Sequence, residues 1–401
     1  MPQTTLVSFA VIVAATAVAP LITDHVKRWI AIPSVVLEIL LGILIGPQVL
    51  GWAGVDDVMG FVADFGLAML MFLAGYELKI DEVRGKPIRL ASVGWLISLV
   101  LGLGFGALVH GWAFASLIIG LALTTTALGT TLPMVRDAGL LPTPLGARVL
   151  AVGAAGEFGP IIAVALLFND QSPARTVLFL LAFGVVAARL LWVAANRRSG
   201  RISRLVRTTL GTSAQFAVRL CMVVVVFMLW LAGTLGLDLL LGAFVAGLVV
   251  RLFLDAGDPE EGAVVESKIE AIGFGFLIPF FFVVSGMRYD LDALLATPSA
   301  IALLPVFLVL FLVIRGLPVL ALHHRDLPVR PRWTLALLAS AALPLVVVIT
   351  TIGTDAGLLP TSTASAMVGA GMISVLVFPL IALRLVRDEQ PGPHPADPEL
   401  R

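Results

Sequence analysis

Two stretches, "LTTTALGTTLPMV" (Leu123–Val135) and "LASAALPLVVVITTIG" (Leu338–Gly353), decide how this chain folds. Each breaks an apolar run of membrane-spanning length with small residues, hydroxyls and a proline. In the first the interruption is carried by Thr124, Thr125, Thr126, Gly129, Thr130 and Pro133, and in the second by Ala342 and Pro344. Thr, Gly and Pro are frequent in membrane helices, where they permit close packing. What sets these two segments apart is their place in the chain, which follows from counting outward.

The chain has 401 residues, 59% hydrophobic and 13% charged, with a mean hydropathy of +1.05. Soluble domains do not sustain such values. Lipid offers the backbone no hydrogen-bond partner, so spanning segments are helices or a closed barrel, and these runs lack the alternation of barrel strands. The reading is an all-α polytopic membrane protein. Runs of about twenty apolar residues fall at 6–26, 33–50, 58–78, 88–109, 112–135, 147–168, 175–195, 215–235, 237–254, 267–287, 298–322, 333–354 and 362–386, thirteen spans in all. The single cysteine, Cys221, excludes a disulfide framework within the chain and reads as a lipid-facing or packing residue. A net charge of zero gives no overall field for nucleic acid or acidic substrates.

The basic residues test the count. Lys27 and Arg28, then Lys79, Arg84, Lys86 and Arg89, then Arg136 and Arg148, then Arg197, Arg198, Arg201, Arg204 and Arg207, then Arg251 and Lys268, then Arg325, Arg330 and Arg332, then Arg384 and Arg387 occupy every second connection. Only Arg175 and Arg288 fall in the others. Short cytoplasmic loops retain Lys and Arg, so the N-terminus is expected outside and the C-terminus in the cytoplasm. The first apolar run is a retained span, since its positive charges follow it and do not precede it as in a signal peptide. The long polar connection "ANRRSGRISRLVRTTLGTSAQ" follows the seventh span and leaves six spans on either side of that linking span, with inverted topology. The fifth and twelfth spans, which carry the two opening stretches, are then equivalent. Interrupted helices at matching positions of inverted repeats point to a transport site at the membrane midplane.

Ionisable groups within a span are costly and usually mark an ion or proton path. They are Glu38, Asp64, Glu157 and Arg315, with Arg189 and Arg219 near enough to span ends to snorkel. Glu157 lies nine residues beyond Arg148 and Arg315 eight before His323, or roughly 13 and 12 Å deep at the helical rise. Alone, Glu157 reads as well as a protonated glutamate bonded to a neighbouring helix, and Arg315 as a snorkelling side chain. Jointly, at one depth and in spans flanking the interrupted ones, they read as an ion site. Glu38 either lines an inner vestibule or makes a helix-packing contact, and Asp64 is expected to be structural or at a dimer contact. His25, His110, His323, His324 and His394 map to span ends, turns or the tail and are expected to be solvated.

Five stretches in order, "PSVVLEILLGILIGPQVLG", "FGLAMLMFLAGYEL", "LTTTALGTTLPMVRDAG", "FFFVVSGMRYDL" and "LPLVVVITTIGTDAGLL", resemble bacterial monovalent cation:proton antiporters, the branch of sodium/proton antiporters and Kef-type membrane domains. The resemblance implies two inverted six-helix repeats with crossed interrupted helices, and a homodimer in the inner (plasma) membrane with elevator-like movement. Scaffold and dimer parts would be 1–86 and 214–296, and core parts 87–170 and 297–388. Residues 171–213 would form the linking span and cytoplasmic loop, and 389–401 a cytoplasmic tail. In the family the sixth span carries two adjacent polar residues, the second an ion-binding carboxylate, and the eleventh a basic residue. Glu157 matches that carboxylate and Arg315 the basic residue, while Gly156 stands where the first polar partner is expected.

A lone titrating carboxylate holds a proton or a cation, so competition for Glu157 suffices for electroneutral exchange of one for the other. Sodium and potassium prefer oxygen ligands, drawn from Glu157, the hydroxyls of Thr125 and Thr126, and carbonyls freed at the interruption. Arg315 would compensate the carboxyl-terminal ends of half-helices. No cofactor, nucleic acid or enzyme chemistry is expected; the partners are a monovalent cation, the proton and the bilayer. A channel would need a continuous wet pore, and Tyr289–Asp290 lacks the second carboxylate of an aspartyl protease dyad. The alternative is a Kef-type potassium efflux component or channel-like permease regulated by a separate subunit, because the sequence ends in "RDEQPGPHPADPELR" without a nucleotide-binding domain.

Overall fold

The computed structural model describes residues 3–26, 34–78, 85–110, 113–167, 173–196, 215–237, 239–255, 259–295 and 298–387. Lys27, Arg28, Lys79, Arg84, the arginines of 197–207, and the tail with His394 lie outside the described residues. All regular structure among the described residues is helical: α1 (Gln3–Val26), α2 (Ser34–Ile45), α3 (Asp57–Glu77), α4 (Lys86–His110), α5 (Phe114–Ala122), α6 (Leu128–Asp137), α7 (Pro144–Leu167), α8 (Pro173–Asn196), α9 (Phe216–Thr234) and α10 (Leu239–Asp255). There follow α11 (Pro259–Ile272) and α12 (Ile278–Met287), the short α13 (Leu291–Leu295), α14 (Pro298–Phe311), α15 (Leu317–Leu322), α16 (Val329–Ser340), α17 (Pro344–Asp355) and α18 (Thr361–Arg387). Nine helical stretches among the described residues are long and apolar enough to cross a membrane. The fifth predicted span appears as the two half-helices α5 and α6, the second and ninth as the shorter helices α2 and α10, and the seventh as α8, whose apolar stretch is Leu181–Leu190.

Local chemistry explains where helices end. The second predicted span, 33–50, is helical only to Ile45, because Gly46 precedes Pro47 and a residue before proline is pushed out of the helical region. Asp56 caps α3 by accepting from the Met59 N–H at 3.0 Å, and its other oxygen accepts from the Thr5 hydroxyl at 2.6 Å. The Thr5 bond first, and the backbone N–H second, hold this carboxyl below the usual carboxylate range. The tenth predicted span, 267–287, begins earlier, at Pro259, and is continuous through a π-helical turn at Gly273–Leu277. A second π-helical turn, Leu312–Gly316, joins α14 to α15. Pro279 and Pro318 lack the N–H that the carbonyls of Gly275 and Ile314 would otherwise use, and a wider turn accommodates that loss.

Small residues bring backbones together. At the α3–α10 crossing, a Cβ on Gly75 would collide with the Phe244 carbonyl and one on Gly247 with the Phe72 carbonyl. Gly42 and Gly286 do the same for α2 and α12, and Gly102 and Gly120 for α4 and α5. Thus α2, α3, α10 and α12 pack as one group, with α9 against α10 and α1 against α2. A second group comprises α4 on α5 and α7, and α18 on α14, α16 and α17. Phe158 of α7 meets Phe244 of α10 edge-on, with ring centroids 3.6 Å apart, across the two groups.

Three sequence expectations are sharpened or corrected here. Cys221 is 5% exposed and therefore a packing residue. His323 is not solvated: it is 1% exposed, its Nδ1 lies 3.1 Å from the Val319 carbonyl, and burial holds its imidazole below the ordinary pKa. Asp64 is largely exposed and lies 3.8 Å from Arg288, a pair too solvated to contribute much.

Candidate ion-binding site

A broken helix leaves its terminal N–H and C=O groups without intrahelical partners, and here the two breaks supply each other. Residues 123–127 part α5 from α6, and 341–343 part α16 from α17. The Ala127 N–H donates to the Ala341 carbonyl at 2.7 Å, and the Thr126 N–H to the Gly156 carbonyl of α7 at 3.1 Å. From α18, Ser374 Oγ accepts from the Ala342 N–H at 3.0 Å while donating to its own Gly371 carbonyl at 2.7 Å. Removing that acceptor strands a buried N–H, which costs about 1–3 kcal/mol. Ser374→Ala is therefore expected to lower the thermal unfolding midpoint in detergent, and Ser374→Thr to retain most of it.

The crossing has two electrostatic ends. Carboxyl-terminal half-helix ends are negative and amino-terminal ends positive. Arg315, 1% exposed, sits at the former: its Nε and Nη2 donate to Thr126 Oγ1 at 3.1 and 2.8 Å, and Thr126 in turn donates to the Ala339 carbonyl, in the last turn of α16, at 2.6 Å. The same guanidinium reaches the Val152 carbonyl at 3.2 Å and Ser98 Oγ of α4 at 3.5 Å. The π-helical turn at Leu312–Gly316 carries Arg315 into this position. Gly156 makes the space: a Cβ there would lie 2.6 Å from both Arg315 Nη2 and Thr126 Cβ.

Glu157 occupies the other end. It is 1% exposed, its Oε1 accepts from the Gly129 N–H at the start of α6 at 3.3 Å, and its Oε2 has no hydrogen-bond partner among the described residues. An unpaired acceptor in so buried a place is uncommon. Glu157 and Arg315 make no ion pair with each other within 4.0 Å among the described residues. The shared depth read from the sequence therefore holds two groups serving opposite helix ends, not a bonded pair.

Of the other sequence candidates, Thr124, Thr125 and Thr130 are buried and donate to carbonyls of their own chain at Leu121, Ala122 and Ala127, at 2.7, 2.8 and 3.0 Å. Their oxygens keep acceptor capacity. Thr126 is committed to Arg315. Ala342 lies in the second break, Pro344 opens α17, and Pro133 falls within α6. Glu38 is 3% exposed on α2, sharing a stripe with Gly42 and Ile45, among α1, α12 and α18. Ser98 and Ser374 were not anticipated. Ser98 had a signal: with Gly102 and Gly106 it forms a small-residue row at four-residue spacing along α4.

Inverted repeats whose broken helices cross beside a buried carboxylate define a secondary-transporter architecture. The "Sodium/hydrogen exchanger, transmembrane" family signature matches residues 12–387, and the chain belongs to that family. It is 25% identical over 415 residues to the putative Na(+)/H(+) antiporter YjbQ of Bacillus subtilis, covering 98% of this chain and 65% of that protein. It is 30% identical to the Na(+)/H(+) antiporter NhaS5 of Synechocystis over 78% of this chain and 44% of that one. The Na(+)/H(+)-K(+) antiporter GerN of Bacillus cereus is 25% identical over 65% of this chain and 67% of its own length. The chain thus spans roughly two thirds or less of the first two relatives' length. In fold it is similar to the sodium proton antiporter MjNhaP1 of Methanocaldococcus jannaschii at pH 8, with a TM-score of 0.63 at 16% identity and 96% of each chain covered.

Proposed function

We propose that this membrane protein exchanges a monovalent cation, sodium or potassium, for a proton, one for one and without net charge movement. The observation that carries this reading is the buried Glu157 carboxylate at the amino-terminal end of a broken helix, whose Oε2 has no hydrogen-bond partner, and which has no cationic side chain in ion-pair contact, among the described residues. A proton or a dehydrated cation satisfies that oxygen, and each excludes the other. Thr125 and Thr130 supply neutral oxygens, while Arg315, fixed by Thr126, Ser98 and Val152, stays charged throughout and adds no second titrating step.

The helices packed around α3 and α10 would serve as scaffold, in a homodimer. Those carrying Glu157 and Arg315 would move across it as an elevator, with Phe158 sliding past Phe244 at the seam. The N-terminus would face outside and the C-terminus the cytoplasm. Proteoliposomes with an imposed pH gradient test this. Sodium or potassium should dissipate the gradient at a rate independent of membrane potential. A rate that follows the potential would exclude one-for-one exchange, and no response to either ion, nor to lithium, would exclude the reading itself.

A further inference from the structure

Beyond the Glu157 site, a set of charges among the described residues joins the far end of α6 to the helices behind it. Arg136, in the last turn of α6, donates from Nη2 to Glu77 Oε1 and from Nη1 to Glu270 Oε1, both at 3.1 Å. Glu77 ends α3 and Glu270 lies on α11. That receiving body is itself braced. Arg251 of α10 bonds Asp255 at 2.9 Å, approaches Glu266 at 3.7 Å and lies over the Tyr76 ring, and the Tyr76 hydroxyl donates to Glu266 at 3.3 Å. α6 is a ten-residue rod, about 15 Å long. Its first turn offers Glu157 the Gly129 N–H, and its last turn is tied to α3 and α11.

We propose that Arg136 is a positioning residue of the transport cycle, latching α6 to Glu77 and Glu270 in the state described and releasing it when α6 moves with Glu157. This rests on the exchange reading above. The Arg136 side chain is 42% exposed and the Glu270 side chain 26%, so water can replace that bond at small net cost; the Glu77 side chain is 7% exposed, so its bond is the firmer tie and opens only as α6 moves and admits water to that carboxylate. The planar fork nevertheless directs two bonds at two carboxylates on different helices, which fixes one register of α6 when it is closed. A lysine keeps the charge and loses the fork.

The test uses the full chain in proteoliposomes, in a Cys221→Ser background, with a thiol introduced by Val135→Cys. Val135 is 0% exposed and precedes Arg136 on α6. With the latch intact, sodium or potassium under a pH gradient should raise maleimide labelling of that thiol several-fold, and Glu157→Gln should abolish the rise. Arg136→Gln should label fast without any cation and lose the response, Arg136→Lys should fall between, and adding Glu77→Gln and Glu270→Gln to Arg136→Gln should change nothing further. Exchange that runs normally while labelling ignores both the cation and Arg136→Gln overturns the latch and leaves the exchange reading standing. Absence of any cation-driven proton movement in the latch-intact protein overturns both.

Discussion

Glu157→Gln is expected to abolish cation-dependent proton movement and to leave the fold intact. The two effects separate because the residue's role in exchange and its role in stability have opposite signs. As a carboxylate, Glu157 holds a buried oxygen with no partner, and burying such a group costs stability unless a proton or an ion satisfies it. The amide has nearly the same shape, carries no charge and neither releases a proton nor attracts a cation. The thermal unfolding midpoint in detergent is therefore expected to stay level or rise, while gradient dissipation in proteoliposomes falls to that of empty vesicles. A folded variant that still exchanges would remove Glu157 from the site.

Gly156→Ala should damage the protein through space alone. The added methyl falls 2.6 Å from Thr126 Cβ and 2.6 Å from Arg315 Nη2. The threonine Cβ cannot swing away, because Thr126 is held by its N–H to the Gly156 carbonyl at 3.1 Å and by its hydroxyl to the Ala339 carbonyl at 2.6 Å. Overpacking of this kind costs about 1–3 kcal/mol. Part of that cost falls on the Arg315–Thr126 bonds, so the guanidinium loses its seat at the half-helix ends. Both a lower unfolding midpoint and a several-fold lower exchange rate are expected, in contrast with Glu157→Gln, where only exchange is lost. An alanine variant with wild-type stability and rate would mean that Gly156 is not what seats Arg315.

The interruptions themselves were legible because their causes are local. Thr124–Thr125–Thr126 are weak helix formers, and Pro344 in the matching stretch has no N–H for the carbonyl four residues back, both inside runs otherwise long enough to span. The inverted arrangement was expected from the seven spans that separate matching elements, a count that the placement of Lys and Arg checked. Glu157 and Arg315 stood out because charged residues are so scarce inside the spans. Their relation was not legible: depth along two helices does not say which way side chains point, and the structure separates them to opposite ends of the crossing.

Gly156 shows the same limit. Read from the sequence, it is a lost polar partner; in the structure it is the space a guanidinium fills. Pairings such as Arg136 with Glu77 and Glu270 join residues 59 and 134 positions apart, and no periodicity along the chain carries that information. His323 was misjudged because a position one residue past a span end does not reveal the packing that covers it.

Proton release on cation binding addresses the claim that one carboxylate serves both ions. Purified protein in weakly buffered detergent, with a pH indicator present, would receive sodium or potassium at a pH where the empty site is protonated. Release of about one proton per chain is expected, saturating with cation concentration and absent in Glu157→Gln, since a single acid cannot hold both ligands. Cation binding without proton release, or release that persists in Glu157→Gln, would contradict it.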